Sequence, residues 1–238
     1  MAIVQRVTLP TGGTPASETS GAADPAIVDL LGVLALGELT AFERLADDAA
    51  LAPSLQDKAA LGGMAVAEYA HFVRLRDRLA ELGVDPSAAM EPFVPALEAF
   101  HDRTAPRDWL EGLVKAYVGD GIATDFYREI TAYVDAPTRE LVHDVLSDTG
   151  HADFVVGRVR AAIEVDPRVA GRLALWGRRL VGEALSQAQR VAAERDGLAE
   201  LLVGGVDRQG ADLAEIGRML ARLTEAHTRR MARLGLAA

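Results

Sequence analysis

Residues 61–79 read LGGMAVAEYAHFVRLRDRL, and this stretch decides how the rest of the chain is interpreted. Its apolar residues recur at intervals of three and four, which predicts an amphipathic helix with one buried face. Those residues are Leu61, Met64, Phe72, Leu75 and Leu79. Glu68 and His71 lie on the same face, three residues apart. Because a buried carboxylate is costly unless a cation neutralises it, this helix carries a candidate pair of metal ligands.

Three other apolar stripes also carry a carboxylate. Glu38 lies on an earlier stripe and Asp120 on a later one, and the last stripe repeats the carboxylate–histidine spacing with Asp148 and His151. One such pair often arises by chance on an exposed face, but here each pair follows a stripe carboxylate by 30 or 28 residues. The pattern favours a shared metal centre. Its predicted ligands are Glu38, Glu68, His71, Asp120, Asp148 and His151, with Asp125 as the alternative to Asp120.

Apolar spacing and the positions of Pro and Gly predict six helical segments. Their ranges are about 25–50, 53 or 54 to 82, 107–134, 137–163, 167–202 and 211–234. Short turns join the first segment to the second and the third to the fourth, so each of these pairs is expected to form an antiparallel hairpin. The connection between the hairpins contains four prolines and one short helix near 96–101, and it is long enough to cross a bundle.

Two hairpins joined by one long crossover predict an all-α, ferritin-like four-helix bundle followed by two C-terminal helices. We expect the crossover to place the first and third helices in the same axial sense. The predicted organisation is a disordered tail at 1–23, the four-helix core at 24–163, and two helices at 164–238 that pack on the core or at an oligomer interface. Four apolar residues on one side of the fifth helix are compatible with docking on the bundle or with a dimer contact, and a homodimer is the expected oligomer. The four residues are Leu173, Trp176, Leu180 and Leu185.

Composition excludes several classes of site. None of the 238 residues is cysteine, so disulfides, thiolate zinc sites and iron–sulfur clusters are excluded, and any metal must be bound by oxygen and imidazole nitrogen. No uninterrupted apolar run approaches the roughly 20 residues that span a bilayer, and the N-terminus lacks the features of a signal peptide, which predicts a cytoplasmic protein without a membrane partner. Residues 1–157 contain 11 Lys and Arg against 25 Asp and Glu, which argues against general nucleic-acid binding.

Four short motifs carry a resemblance to a known family. They are Gly37-Glu38-Leu39, Glu68-Tyr69-Ala70-His71, Asp120 through Tyr127, and Asp148-Thr149-Gly150-His151. Over about residues 25–163 the chain resembles the tRNA-(2-methylthio-isopentenyl-adenosine) hydroxylase-like (MiaE-like) family of the ferritin-like di-iron superfamily, in a divergent, actinobacterial-type branch. The resemblance implies two iron ions at the six ligand positions, dioxygen as co-substrate and a modified adenosine of tRNA as substrate. The superfamily has Glu where Asp120 and Asp148 stand, and the shorter Asp side chains predict a weaker second metal position.

Two functions of different class are compatible with these patterns. The first is a non-haem di-iron hydroxylase with an unknown substrate, with manganese as the alternative metal and with Phe72, Tyr117 and Tyr127 lining the pocket. The second is a non-catalytic ferritin-like scaffold whose degenerate metal site is empty or structural, and whose last two helices bind a partner protein or RNA through arginines. Those arginines are Arg172, Arg178, Arg179, Arg190, Arg195, Arg218, Arg222, Arg229, Arg230 and Arg233.

Iron storage and the remaining histidines are assigned from the same patterns. Iron storage is disfavoured, because about 75 residues follow the four-helix core and would have to fit around a compact storage cage. The histidines outside the ligand pattern, His101, His143 and His227, are assigned to surface or capping positions.

Overall fold

The computed structural model describes residues 23–147, 151–204 and 212–238, which are almost entirely helical and include no strand. The α-helices are α1 (Pro25–Asp48), α2 (Leu55–Glu81), α3 (Pro86–Met90), α4 (Val94–Arg103), α5 (Trp109–Ile130), α6 (Ala136–Val145), α7 (His151–Val165), α8 (Arg168–Glu194), α9 (Asp196–Val203) and α10 (Leu213–Leu234). The prediction of an all-α fold is confirmed. The predicted N-terminal tail lies outside the described residues, except for residue 23.

Side-chain caps define where the first two helices begin. Asp24 accepts a hydrogen bond from the Ala26 backbone N–H (2.9 Å), and Pro25 occupies the first helical turn, where its missing N–H costs nothing. Ser54 accepts a hydrogen bond from the Asp57 backbone N–H (3.1 Å) and donates its hydroxyl hydrogen to the Asp57 carboxylate (2.7 Å). These contacts are local in sequence, which is why the starts of α1 and α2 could be predicted to within about two residues.

The core clusters reveal the direction of each helix. One cluster contains the first half of α1, the second half of α2 and the end of α5, whereas the other contains the end of α1 and the first halves of α2 and α5. Helices α1 and α2 are therefore antiparallel, and α5 runs parallel to α2. The connection passes from Phe93 in the first cluster to Phe100 beside the second, which confirms the predicted crossover.

The expectation that the first and third long helices share an axial sense is wrong. The crossover returns the chain to the end of the bundle where α2 begins. The next long helix, α5, must then run in the direction of α2 and opposite to α1. The close approach of Asp48 at the end of α1 to Gly112 at the start of α5 shows the same arrangement.

The fourth predicted helix, 137–163, is divided in the structure. Helix α6 ends at Val145 and α7 begins at His151, and residues 148–150 between them lie outside the described residues. After α6, the Ser147 hydroxyl donates a hydrogen bond to the Asp144 carbonyl (2.9 Å). Such a local side-chain bond gives the backbone an alternative to continued helix.

The fifth predicted helix, 167–202, is also divided. Arg195 has an extended backbone and separates α8 from α9. Its guanidinium group forms an ion pair with the buried carboxylate of Asp29 in α1. Gly197 lies against the same carboxylate, where an added Cβ would stand 3.0 Å from an Asp29 oxygen. The bend is thus determined by a contact 166 residues away in sequence rather than by local periodicity.

Helices α8 and α10 pack against α5. The Trp176 indole N–H donates a hydrogen bond to the Glu111 carbonyl (2.9 Å), and Arg172 pairs with the Glu111 carboxylate (2.6 Å). Leu173 and Leu180 are fully buried within the chain. The apolar side of α8 that could form a dimer contact is therefore largely covered by the same chain. Leu185 is its exposed member, at 48% exposure.

Helix α1 with its following turn, Pro25–Leu51, is long and apolar enough to cross a membrane by length and composition alone. The search for an uninterrupted apolar run missed this property. In the structure, 56% of its most apolar window is buried inside the protein. The packing of α1 in the core thus accounts for its apolar character.

Candidate metal centre

Helices α1 and α2 bring Glu38, Glu68 and His71 together. In the part of the chain that the structure describes, these three residues form one group whose ligand atoms all lie within 4.8 Å of one another. His71 Nδ1 lies 3.4 Å from Glu38 Oε2 and 3.6 Å from Glu68 Oε2. The antiparallel hairpin explains the convergence, because Glu38 and Glu68 are equidistant from a turn near residue 53. Helical spacing then places His71 on the face of Glu68.

The electrostatics of this group are those of a buried, proton-sharing cluster. Glu38 is 8% exposed, and its Oε2 atom is buried with no well-aligned hydrogen bond, although His71 Nδ1 lies 3.4 Å away. Burial raises the pKa of Glu38 well above its usual range, although His71 opposes the shift. The neighbouring carboxylates raise the pKa of His71 to about 9. Burial also opposes the ionisation of Glu68, but the proximity of His71 and of Glu38 gives it a net lowered pKa.

The predicted ligands of the second hairpin are not part of this group among the described residues. Asp120 is exposed, so the prediction that it lies on a buried face is wrong: the side of α5 that it shares with Thr124 borders a cavity and not the apolar core. Asp148 lies outside the described residues. His151 lines the same cavity, and its charge lowers the pKa of Glu68, so it is electrostatically coupled to the first three ligands. The role of these three residues as ligands stays a prediction.

Asp125, the alternative to Asp120, forms a different contact. Its carboxylate pairs with Arg230 of α10, and the same guanidinium donates a hydrogen bond to the Gly121 carbonyl (2.8 Å). An added Cβ at Gly121 would collide with Arg230, so the glycine permits this close approach. The ion pair already neutralises the Asp125 charge, which weakens the case for Asp125 as a metal ligand.

A cavity of about 330 Å³ adjoins the cluster and extends between α1, α5 and α7. Of the aromatic residues predicted to line it, Tyr117 does so, whereas Phe72 and Tyr127 pack in the neighbouring core. Tyr127 nevertheless lies near Glu38: burial and the charge of Glu38 both raise its pKa. The cavity gives small molecules a route to the carboxylates.

Sequence reasoning missed two residues of this cavity, His101 and Lys115. The assignment of His101 to a surface position is wrong, because its Nδ1 atom is buried and has no hydrogen-bond partner. Lys115 follows Leu113 and Val114 in a buried stretch of α5. A lysine amid apolar helix residues, in a chain whose other cations are almost all arginines, was the available sequence signal.

A family model described as a ferritin-like domain of actinomycetes matches residues 22–205. The chain belongs to this ferritin-like family. It is also similar to a solved structure from Synechococcus, described as a protein with aldehyde deformylating oxidase activity. The TM-score is 0.60 at 17% sequence identity, covering 93% of this chain and 94% of that chain, and a likeness at this identity concerns the fold. No curated protein matches the chain.

The residues of this ferritin-like domain fit a metal ion. Two carboxylates and an imidazole provide the oxygen and nitrogen ligands that suit iron and manganese. The three ligand atoms converge, and the buried Glu38 Oε2 accepts no well-aligned hydrogen bond, so a bound cation would satisfy this oxygen directly. Because ligands bind in their deprotonated forms, binding would release the protons that the cluster otherwise retains on Glu38 and His71.

Proposed function

We propose that this ferritin-like protein is an oxygen-activating di-metal enzyme, with iron as its metal, that hydroxylates a small organic substrate. The observation that carries the proposal is the opening of the Glu38, Glu68 and His71 cluster into a cavity of about 330 Å³. This volume is at the lower end of the range for small-molecule pockets. Bound iron would supply dioxygen reduction and the oxidising power for an unreactive C–H bond.

In this proposal each part of the site has a separate role. Glu38, Glu68 and His71 hold the first ion, and His151 with Asp120 and Asp148 completes a second, weaker position. The apolar wall of the cavity, which includes Leu45, Met64 and Val155, limits the access of water to the reacting centre. Such an arrangement places a substrate C–H bond beside the metals while the bundle keeps the ligands rigid.

A tRNA substrate, which the MiaE-like resemblance implies, is the finer hypothesis, and the charges of the C-terminal helices argue against it. Seven of the ten arginines named above form ion pairs with carboxylates of the same chain. They are Arg172, Arg190, Arg195, Arg222, Arg229, Arg230 and Arg233. Paired arginines have less charge available for phosphates. The same pairing counts against the alternative of a non-catalytic RNA-binding scaffold.

Metal loading tests the proposal. The full-length protein is loaded with Fe(II) without oxygen, freed of excess metal, and measured for bound iron and for oxygen consumption. We expect about two irons per chain, as in ferritin-like di-iron proteins, and loss of iron in His71→Ala. His143→Ala, which changes an exposed histidine, is the matched control and should retain the wild-type iron content. Wild-type protein that retains no iron would support the non-catalytic scaffold instead.

A further inference from the structure

The cavity contains a second polar group, away from the metal cluster. Lys115 of α5 is only 7% exposed, and its Nζ atom lies 5.5 Å from the centre of the Phe100 ring. No carboxylate forms an ion pair with this ammonium group among the described residues, although the more distant charge of Asp48 stabilises it. A buried cation without an ion-pair partner has an unfavourable desolvation free energy, which a bound anion would offset.

His101 of α4 shares this end of the cavity with Lys115. Its Nδ1 atom is buried and has no hydrogen-bond partner. Burial, together with the positive charges of Lys115 and Arg44, lowers the pKa of His101 to about 3. The imidazole is therefore neutral at pH 7, and one of its nitrogens carries a hydrogen that can be donated to an anion.

The distance between the two polar groups can be derived from the helices. Asp48, whose charge acts on Lys115, follows Glu38 by ten residues in α1, which corresponds to about 15 Å along the helix axis. Apolar residues also line the cavity: Leu45, which lies between Glu38 and Asp48 in α1, with Met64 and with Phe100 beside Lys115. The cavity thus has a cationic end, an apolar middle and a metal-binding end.

We propose that Lys115 and His101 bind the carboxylate of a small carboxylic acid whose apolar chain extends towards Glu38, Glu68 and His71. As the substrate class of the metal centre, this assignment rests on the function proposed above, but the binding itself does not. Asp48 favours a single negative charge on the ligand, because it would repel a dianion. Burial lowers the pKa of Lys115 to about 8, so its amine is still largely protonated at pH 7.

Calorimetric titration of the full-length protein with sodium octanoate tests the inference at pH 7, with and without bound iron. We expect octanoate to bind, and Lys115→Met to weaken its affinity by about tenfold or more, as removal of a charged hydrogen bond does. Lys115→Arg should retain most of the affinity. Lys58→Met is the matched control, because Lys58 is exposed and is the only other lysine of the chain.

Two matched probes examine the chemistry of the ligand. 1-Octanol lacks the charge, and octyl phosphate carries a second charge near pH 7; both should bind more weakly than octanoate. Acetic anhydride labelling adds a direct readout, since octanoate should protect Lys115 and leave Lys58 unprotected.

Equal octanoate affinity in Lys115→Met and wild type would overturn the inference, and tighter binding of octyl phosphate would overturn the assignment to a carboxylic acid. Iron binding without octanoate binding would refute this inference while leaving the proposed metal centre intact. Octanoate binding that depends on Lys115 in a protein that takes up no iron would support the inference and refute the metal centre.

Discussion

Glu38→Leu should change the stability of the protein in opposite directions with and without metal. In metal-free protein, the substitution removes a buried carboxyl group whose Oε2 accepts no well-aligned hydrogen bond and has His71 Nδ1 at 3.4 Å. An unsatisfied buried group of this kind costs about 1–3 kcal/mol. Removing this cost should stabilise the variant. Part of the stabilisation is offset because His71 loses one neighbouring carboxylate, but Glu68 Oε2 remains 3.6 Å from His71 Nδ1. We expect a net stabilisation of about 1–2 kcal/mol, or about 2–8 °C in Tm.

Bound Fe(II) should reverse the order of stability of wild type and Glu38→Leu. A ligand that binds only the folded state, at a free concentration a hundredfold above its Kd, stabilises it by about 2.7 kcal/mol. Wild-type Tm should therefore rise by about 5–11 °C with Fe(II) under anaerobic conditions. Glu38→Leu should rise far less, because it lacks one ligand. The wild type is then the less stable protein without metal and the more stable one with it.

The assay is thermal unfolding followed by circular dichroism, in chelator and in anaerobic Fe(II). Glu43→Leu is the control, because Glu43 is exposed on the same helix and its change should alter stability by no more than about 0.5 kcal/mol. A metal-free Glu38→Leu protein that is less stable than wild type would refute the assigned cost of the buried carboxyl. An equal metal-induced rise in both proteins would refute Glu38 as a ligand.

The protonation of His101, the Arg230–Asp125 ion pair and the length of the Asp148 side chain can each be tested. Burial lowers the pKa of His101 to about 3 from 6.5, so the contribution of neutral His101 to stability is present above pH 6.5 and is lost as the pH falls towards 3. The loss should be up to about 1.4 kcal/mol per pH unit. In urea unfolding, His101→Phe should reduce this dependence of stability on pH, and His143→Phe should not. Arg230→Met should destabilise the protein by about 3 kcal/mol in the same assay, because it leaves Asp125 half-buried and unpaired. The double variant Arg230→Met with Asp125→Ala should recover part of the lost stability. Anaerobic titration with iron should show two unequal steps, and Asp148→Glu should tighten the weaker one by extending the carboxylate; two equal sites would contradict this.

The first half of the candidate centre was accessible to sequence reasoning because its geometry is local. Glu68 and His71 share a face through helical periodicity alone. Glu38 joins them because a short turn makes α1 and α2 antiparallel, so residues equidistant from the turn become neighbours. The crossover followed in the same way from connection lengths, although the predicted axial sense of the third long helix was wrong.

The second half of the centre was less accessible because it depends on how distant helices are placed. The apolar stripe on α5 predicted a buried position for Asp120, but periodicity could not show that this side of the helix borders a cavity. The division between α6 and α7 also changes the position of His151 relative to the continuous helix that was predicted. A repeated spacing identifies residues of similar type, but it does not determine how deeply each side chain is buried.

The sequence by itself determined the all-α class, the hairpin of α1 and α2, the absence of thiolate ligands and the meeting of Glu38, Glu68 and His71. All of these depend on composition or on contacts fixed by helical periodicity and one short turn. Only the tertiary structure decided that Arg230 neutralises Asp125 across 105 residues, and that α4 brings His101 to Lys115 in one cavity. Such contacts depend on the relative placement of separate helices, which is determined by the packing of the whole core and leaves no periodic pattern in either segment.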